Sequence, residues 1–311
     1  RKSQSELEEM IGRAHGRALW DLAQDSIATA KALIKRFEID CDLTPGIMHT
    51  AWKKGDMSWL RDEADHMAEH YGYDKLHVIE KNEIGDMVAT DRYWGGVLDE
   101  EAAHLHPLNY ALGLARGAIS LGARIFERTR VNSISNESPA AVATDNGTVT
   151  AKQVILACNG YLGGLERKVN GYIMPINNFI IADSKFVIDY YRLSADGRLL
   201  FGGGENYSST FPKDIAAFVS KPMLRVFPQL KDKRIDYAWG GTLAITLKRL
   251  PQFGRVGPNR FFGHGYSGQG INVATLGGKL LAEAVSAEAE GKGSPERFNL
   301  MADIKATKFP G

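Results

Sequence analysis

At 311 residues the chain is longer than one hydrophobic core normally fills, so two interleaved domains are expected. Its 38 Lys and Arg against 37 Asp and Glu leave a net charge of +1, no electrostatic footprint for nucleic acid or an anionic membrane. No apolar run reaches the ~18 residues that span a bilayer, and two cysteines, Cys41 and Cys158, make no disulfide framework; a cytoplasmic protein is expected.

Leu7 to Phe37 carries helical periodicity with a break near Gly12 or Gly16. A turn at Pro45-Gly46 and a short strand lead into a charged helix from Trp59 to Tyr71, whose Arg, Asp, Glu and His side chains read as a solvated face. Pro107 opens a helix running to about Gly122, and Arg124-Ile125-Phe126-Glu127 reads as the next strand. Val131-Asn132-Ser133-Ile134-Ser135 and Ala141-Val142-Ala143-Thr144 read as strands, and Asn146-Gly147 is a two-residue hairpin signal before Thr148-Val149. Val154-Ile155-Leu156 reads as a buried strand that ends in Ala157-Cys158-Asn159-Gly160. Cys158 there reads as a small buried hydrophobe ahead of a reactive thiol.

From Tyr172 to Thr246, strands rich in Tyr, Phe, Trp and Ile and one helix over about Lys213 to Phe227 predict a mixed antiparallel sheet with a covering helix. Tyr190 and Arg192 share a strand face while Tyr191 points the other way, and Trp239 lies on another strand beside Gly240-Gly241. An aromatic pocket with an arginine suits an amine carrying a distal carboxylate, because guanidinium pairs carboxylate bidentately. Core packing for the aromatics and a surface ion pair for Arg192 are the equal alternative.

The most informative stretch is Gly263-His264-Gly265-Tyr266-Ser267-Gly268-Gln269-Gly270-Ile271-Asn272, between the strand-like Arg260-Phe261-Phe262 and a helix to about Ala287. Four glycines keep side chains out of the loop, and the helix start behind it offers unpaired N–H groups and partial positive charge. Such a loop is built to receive a flat or anionic group; a bare strand-to-helix turn is the alternative.

This segment, with Arg249-Leu250-Pro251-Gln252-Phe253-Gly254-Arg255-Val256-Gly257 before it and Gly277-Gly278-Lys279 after it, resembles the closing motif of flavin amine oxidases of the D-amino-acid oxidase and sarcosine oxidase superfamily. Three further stretches extend the resemblance over nearly the whole chain: Gly95 to Asn109, Ala157 to Gly164, and Asp189 to Leu193 with Leu200 to Gly204. Within the superfamily the chain is most similar to the gamma-glutamylputrescine oxidase branch.

The resemblance implies an α/β, overall α+β, architecture: a Rossmann-like FAD-binding domain and an antiparallel-sheet substrate domain. Residues 1–36, 107–165 and 250–311 would form the first, and 37–106 and 166–249 the second. It places the family's opening strand, GxGxxG turn and helix ahead of residue 1, since the one GxGxxG spacing, Gly263-x-Gly265-x-x-Gly268, has no βαβ unit around it. It also implies a shortened join at Ala182-Asp183. FAD is expected noncovalently, since neither cysteine lies in a segment matching the family's flavinylation site. Its implied contacts are Val131 at the adenine, Ala157, Cys158, Asn159, Gly160 and Leu162 at the pyrophosphate and ribityl chain, and Gly265, Tyr266, Ser267, Gly268, Gln269, Gly270, Ile271 and Asn272 at the flavin ring.

The expected reaction moves a hydride from the carbon beside a neutral amine to flavin N5 and leaves an imine that water hydrolyses. No side chain is required as a base; Tyr190, Arg192, Trp239 and Tyr266 are the substrate-pocket residues expected. Dioxygen is the expected acceptor. Asn272, where sarcosine oxidases carry a lysine, adds no charge and keeps a dehydrogenase with another acceptor open. A nicotinamide dehydrogenase and a non-catalytic relative lacking flavin are the rival readings. No metal site is expected, since the histidines lack HExxH spacing, and Gly265-Tyr266-Ser267-Gly268 lacks the GxSxG spacing of a serine hydrolase.

Overall fold

The computed structural model describes residues 2–178, 190–206 and 210–309, so the join at Ala182-Asp183 lies outside the described residues. Helix α1 (Gln4–Ile11) starts at Ser3, whose hydroxyl accepts the Glu6 N–H while the Glu6 carboxylate accepts the Ser3 N–H. It stops at Gly12, φ +85°, and α2 (Arg13–Arg36) begins there, so the break falls at Gly12. Leu22, Ser26 and Ala30, four residues apart, are the buried face of α2.

Strand β1 (Thr44–Thr50) is followed by α3 (Asp56–Tyr71), β2 (Leu76–Ile79), α4 (Lys81–Met87) and β3 (Gly96–His104). β3 lies between β1 and β2, antiparallel to both. Pro45-Gly46 is not a turn. β1 passes through it with a register shift between Pro45 and Ile47, Gly46 at φ +90°, and an edge strand tolerates the missing proline N–H.

Helix α5 (Pro107–Ser120) is capped by His106, whose Nδ1 accepts the Asn109 N–H. Gly113 and Gly117 let it close on Ile39 and Phe37, where an added Cβ would sit within 2.3 Å and 2.7 Å of those side chains. Its other side exposes Leu108, Leu112 and Ile119. Residues 124–127 form no strand, and Ile125 and Phe126 are exposed. A strand is completed by neighbours, and no described strand runs alongside this one to form a ladder.

Strands β4 (Val131–Ile134), β5 (Ala140–Thr144) and β6 (Gly147–Ala151) form an antiparallel sheet. Thr144 pairs with Gly147, so the hairpin turns at Asp145-Asn146, one residue earlier than expected. β7 (Val154–Leu156) is the outer strand of its sheet, and Ile155 is 42% exposed; the strand is half-buried rather than buried. A 3₁₀ turn (Asn159–Tyr161) and α6 (Arg167–Asn170) follow.

β8 (Met174–Asn178) pairs antiparallel with β11 (Glu205–Asn206) and β12 (Gly241–Ile245), while β9 (Tyr190–Leu193) and β10 (Leu199–Gly202) form a separate hairpin. Tyr191 stacks on Phe201, with Phe227 against both, as the strand alternation requires. Asp214 caps α7 (Ile215–Val226) by accepting the Ala217 N–H. Trp239 is not on a strand. It lies in the loop ahead of β12 and is half exposed, the paired segment starting only at Gly241.

β13 (Gln252–Val256) and β14 (Arg260–His264) form the closing hairpin, and β14 runs parallel to β7. α8 (Gly270–Ala289) and α9 (Glu296–Ala302) cover it through Phe253, Phe261, Leu276, Leu280, Leu281, Phe298 and Met301. Arg260 and Glu166 form a buried ion pair, Nη1 to Oε2 at 2.7 Å, and Arg260 also donates to Asn136 Oδ1. That cluster ties β14 to the segment between β4 and β5.

Candidate active site

The chain leaves β14 through a loop whose backbone is left-handed at Gly265 (φ +72°), Ser267 (+50°) and Gly268 (+89°). Gly265 has a steric reason to lack a side chain: a Cβ there would lie 2.5 Å from Thr246 Cγ2. Ser267 is fully buried; its N–H donates to Ala244 O at 3.1 Å and its hydroxyl to Gly265 O at 3.2 Å. On the other side, the Gly265 N–H donates to Asn159 Oδ1 at 3.1 Å. The loop is therefore pinned between the end of β12 and the 3₁₀ turn after β7.

Asn159 (φ +46°), Arg249 (+59°) and Ser267 are non-glycine residues in left-handed backbone; Arg249 and Ser267 both bond Thr246, and Asn159 reaches the loop through Gly265. The Arg249 N–H donates to Thr246 O, and the Thr246 N–H faces Ser267 Oγ at 3.4 Å. Each such residue costs of order 1–3 kcal/mol and persists only where its surroundings hold it, a pattern typical of binding and catalytic sites.

Behind the loop, α8 starts without a capping side chain at Gln269 and without an acidic residue in its first turn. Its leading N–H groups, from Gly270, Ile271 and Asn272, have no partner within the helix and sit at the positive end of its dipole. Gly268, Gln269 and Ile271 are exposed, and a Cβ on Gly270 would find nothing within 4 Å. An uncapped helix start, open at Gly270, fits the polar edge of a large cofactor.

The second expected segment has a mixed role. Ala157 is exposed and Asn159 half-buried, whereas Leu162 is buried against Leu156, Val169 and Ile173. Cys158 packs on that cluster and burial raises its thiol pKa, which makes it a neutral packing residue. Gly160 rests on β12: a Cβ would lie 2.9 Å from the Leu243 carbonyl carbon. The Tyr161 hydroxyl accepts the Thr242 N–H at 3.2 Å. Val131 opens β4, paired with Thr144, and nothing in the hydrogen bonding links it to the loop.

Tyr266 packs against the C-terminal core, its ring 6.4 Å from Phe253, and burial pushes its hydroxyl pKa up to about 12. Arg192 is on β9. Its Nη2 pairs with Asp42 Oδ2 at 3.1 Å and its Nη1 meets His104 Nδ1 at 2.6 Å. Arginine can only donate, so His104 Nδ1 accepts and the imidazole is neutral with its proton on Nε2. Burial lowers the His104 pKa, and the Arg192 charge lowers it further. Tyr190 is 39% exposed on the same hairpin. No hydrogen bond, ion pair or ring contact among the described residues joins Arg192, Trp239 and Tyr266.

Sequence reasoning missed Asp42 and His104 as partners of Arg192, and it missed the Asn159 to Gly265 link; pairings across 150, 88 and 106 residues leave no local pattern. The one available signal was the left-handed tolerance of Asn and Asp at Asn159 and Asp42. Among the described residues no group of three or more His, Cys, Asp or Glu could hold a metal, and no helix is long and apolar enough to cross a membrane.

The family model of FAD dependent oxidoreductases, DAO, matches residues 4–284. The Gamma-glutamylputrescine oxidoreductase of Escherichia coli (strain K12) is 36% identical over 326 residues, covering 98% of this chain and 75% of that protein. A Probable oxidoreductase OrdL of Haemophilus influenzae is 33% identical over 97% of this chain and 74% of its own length. Among solved structures, glycine oxidase from Geobacillus kaustophilus superimposes with a TM-score of 0.76 at 22% identity, covering 94% of this chain and 83% of that one. That likeness is one of fold. An uncapped helix start behind a left-handed glycine loop and a family match over most of the length agree: the chain belongs to the DAO family of FAD-dependent oxidoreductases.

Proposed function

We propose that this protein oxidises a C–N bond of an amine with a distal carboxylate, a gamma-glutamylputrescine-like substrate, with dioxygen as acceptor. The observation that carries the reading is the α8 start: no capping side chain, left-handed Gly265, Ser267 and Gly268 before it, and open space at Gly270. The substrate class is supported by the printed name of the 36% identical relative. FAD, when bound, supplies the two-electron acceptor for the amine.

In this reading the N–H groups of Gly270, Ile271 and Asn272 hold the cofactor's polar edge and stabilise negative charge there during reduction. The loop's hydrogen bonds to Ala244 and Asn159 keep those donors in place before substrate arrives. Loss of hydride from the substrate carbon and a proton from its nitrogen leaves an imine, and water converts that to a carbonyl compound and ammonia or an amine. Arg192 supplies the positive charge for the distal carboxylate, and Asp42 is the competitor that carboxylate must displace or share with. A dehydrogenase with a different acceptor is the second reading, favoured by the uncharged Asn272 amide in the first turn of α8.

The cofactor domain would comprise residues 1–36, 107–165 and 250–311, and the substrate domain 37–106 and 166–249. The outer position of β7 among the described strands, and the exposed Leu108, Leu112, Ile119, Ile125 and Phe126, support apolar surfaces for the strand, GxGxxG turn and helix implied by the resemblance. The balanced charge is in keeping with a cytoplasmic enzyme acting on small molecules. The test is the visible spectrum of the full-length protein under anaerobic amines. A flavin spectrum bleached faster by a gamma-glutamyl amine than by its diamine supports the reading; absence of flavin, or equal rates, refutes it.

A further inference from the structure

Asn159 occupies left-handed backbone at the first position of the turn after β7, and Asn is among the few residues that adopt it readily while offering an amide. Its Oδ1 accepts the Gly265 N–H from 106 residues away. Gly265 has little room to move, with φ +72° and Thr246 Cγ2 where a Cβ would stand. The Ser267 N–H, bonded to Ala244 O, holds the loop from the other side. Two anchors thus fix a three-residue loop that ends three residues before the uncapped start of α8. One of them is a side chain.

We propose that Asn159 is a positioning residue of the flavin site: by holding the Gly265 N–H it sets the angle at which the first-turn N–H groups of α8 meet the cofactor. The inference rests on the placement of FAD at this loop. Asn159 acts through Gly265. Without it the loop keeps its Ser267 anchor but gains freedom at the end nearest β7, and the N–H groups of Gly270 to Asn272 lose a fixed direction. Glycine at 159 removes the amide and still accepts the left-handed backbone, while aspartate keeps both the acceptor oxygen and that backbone.

The experiment uses the flavin-loaded full-length enzyme and its Asn159→Gly and Asn159→Asp variants. Asn159→Gly is expected to exchange the Gly265 amide about tenfold faster in hydrogen–deuterium exchange and to release FAD about three- to tenfold faster, as loss of one hydrogen bond implies. Asn159→Asp is expected to retain the Gly265 protection and the FAD, and to shift the flavin potential more negative, because a carboxylate near the site opposes charge on the reduced cofactor. A residue remote from the cofactor would leave that potential where it is. If flavin-loaded Asn159→Gly keeps wild-type exchange and retention, or Asn159→Asp loses the protection and leaves the potential unmoved, the proposal is overturned. A wild-type protein without flavin overturns the placement of FAD instead, a result read before either variant is made.

Discussion

Replacing Gly270 with valine separates a cofactor loop from a mere turn. The position has no positive φ, it is the first residue of α8, and an added Cβ meets nothing within 4 Å. Its stability cost is therefore small, about 0.5 kcal/mol or less, since helix propensities of glycine and valine differ by a few tenths. The isopropyl group instead fills the space through which the cofactor reaches the leading N–H groups. Loss of two such contacts at ~1.5 kcal/mol each is roughly 3 kcal/mol, about a hundredfold in FAD affinity. The assay pairs FAD content after gel filtration with far-ultraviolet circular dichroism and Tm. Wild-type FAD content in a folded Gly270→Val protein would refute the argument that this opening is where flavin sits.

Gly265→Ala should behave in the opposite way, lowering Tm through left-handed strain of ~1–2 kcal/mol plus overlap with Thr246, even in apoprotein scans. Acid precipitation of the yellow protein should leave all FAD in the supernatant, because burial raises the thiol pKa values of Cys41 and Cys158 and disfavours their thiolates; colour in the pellet would contradict this. Asp42→Asn should lower KM for a gamma-glutamyl amine while Arg192→Met reduces kcat/KM roughly ten- to a hundredfold, and equal effects on amines lacking the carboxylate would reduce Arg192 to a structural ion pair. Buried His264 donates from Nε2 to Gln252 Oε1, and burial lowers its pKa from 6.5 to about 4. Its neutral form is favoured in the folded state, so the stability it contributes is present above pH ~6.5 and falls by up to roughly 3 kcal/mol as pH drops through about 4. Tm measured from pH 8 to 4 should show that fall, and His264→Gln should flatten it.

The parts legible in the sequence were those whose cause is local. The glycine loop with its following helix, the helix start at Pro107 and the Tyr191 alternation all follow from backbone freedom and periodicity. What failed depends on neighbours. Residues 124–127 carry strand-forming side chains but have no described strand to pair with, and Trp239 precedes the point where β12 meets β8.

The bond between Asn159 and Gly265 also dictates when the enzyme can acquire its cofactor. Its partners are 106 residues apart, and α8, which follows the loop, finishes only at Ala289. During synthesis the turn after β7 emerges long before the segment it must hold, at ~5–20 residues per second. FAD loading at this loop would therefore wait until α8 has emerged, and a nascent chain stalled before α8 should bind no flavin however well its earlier sheets have folded.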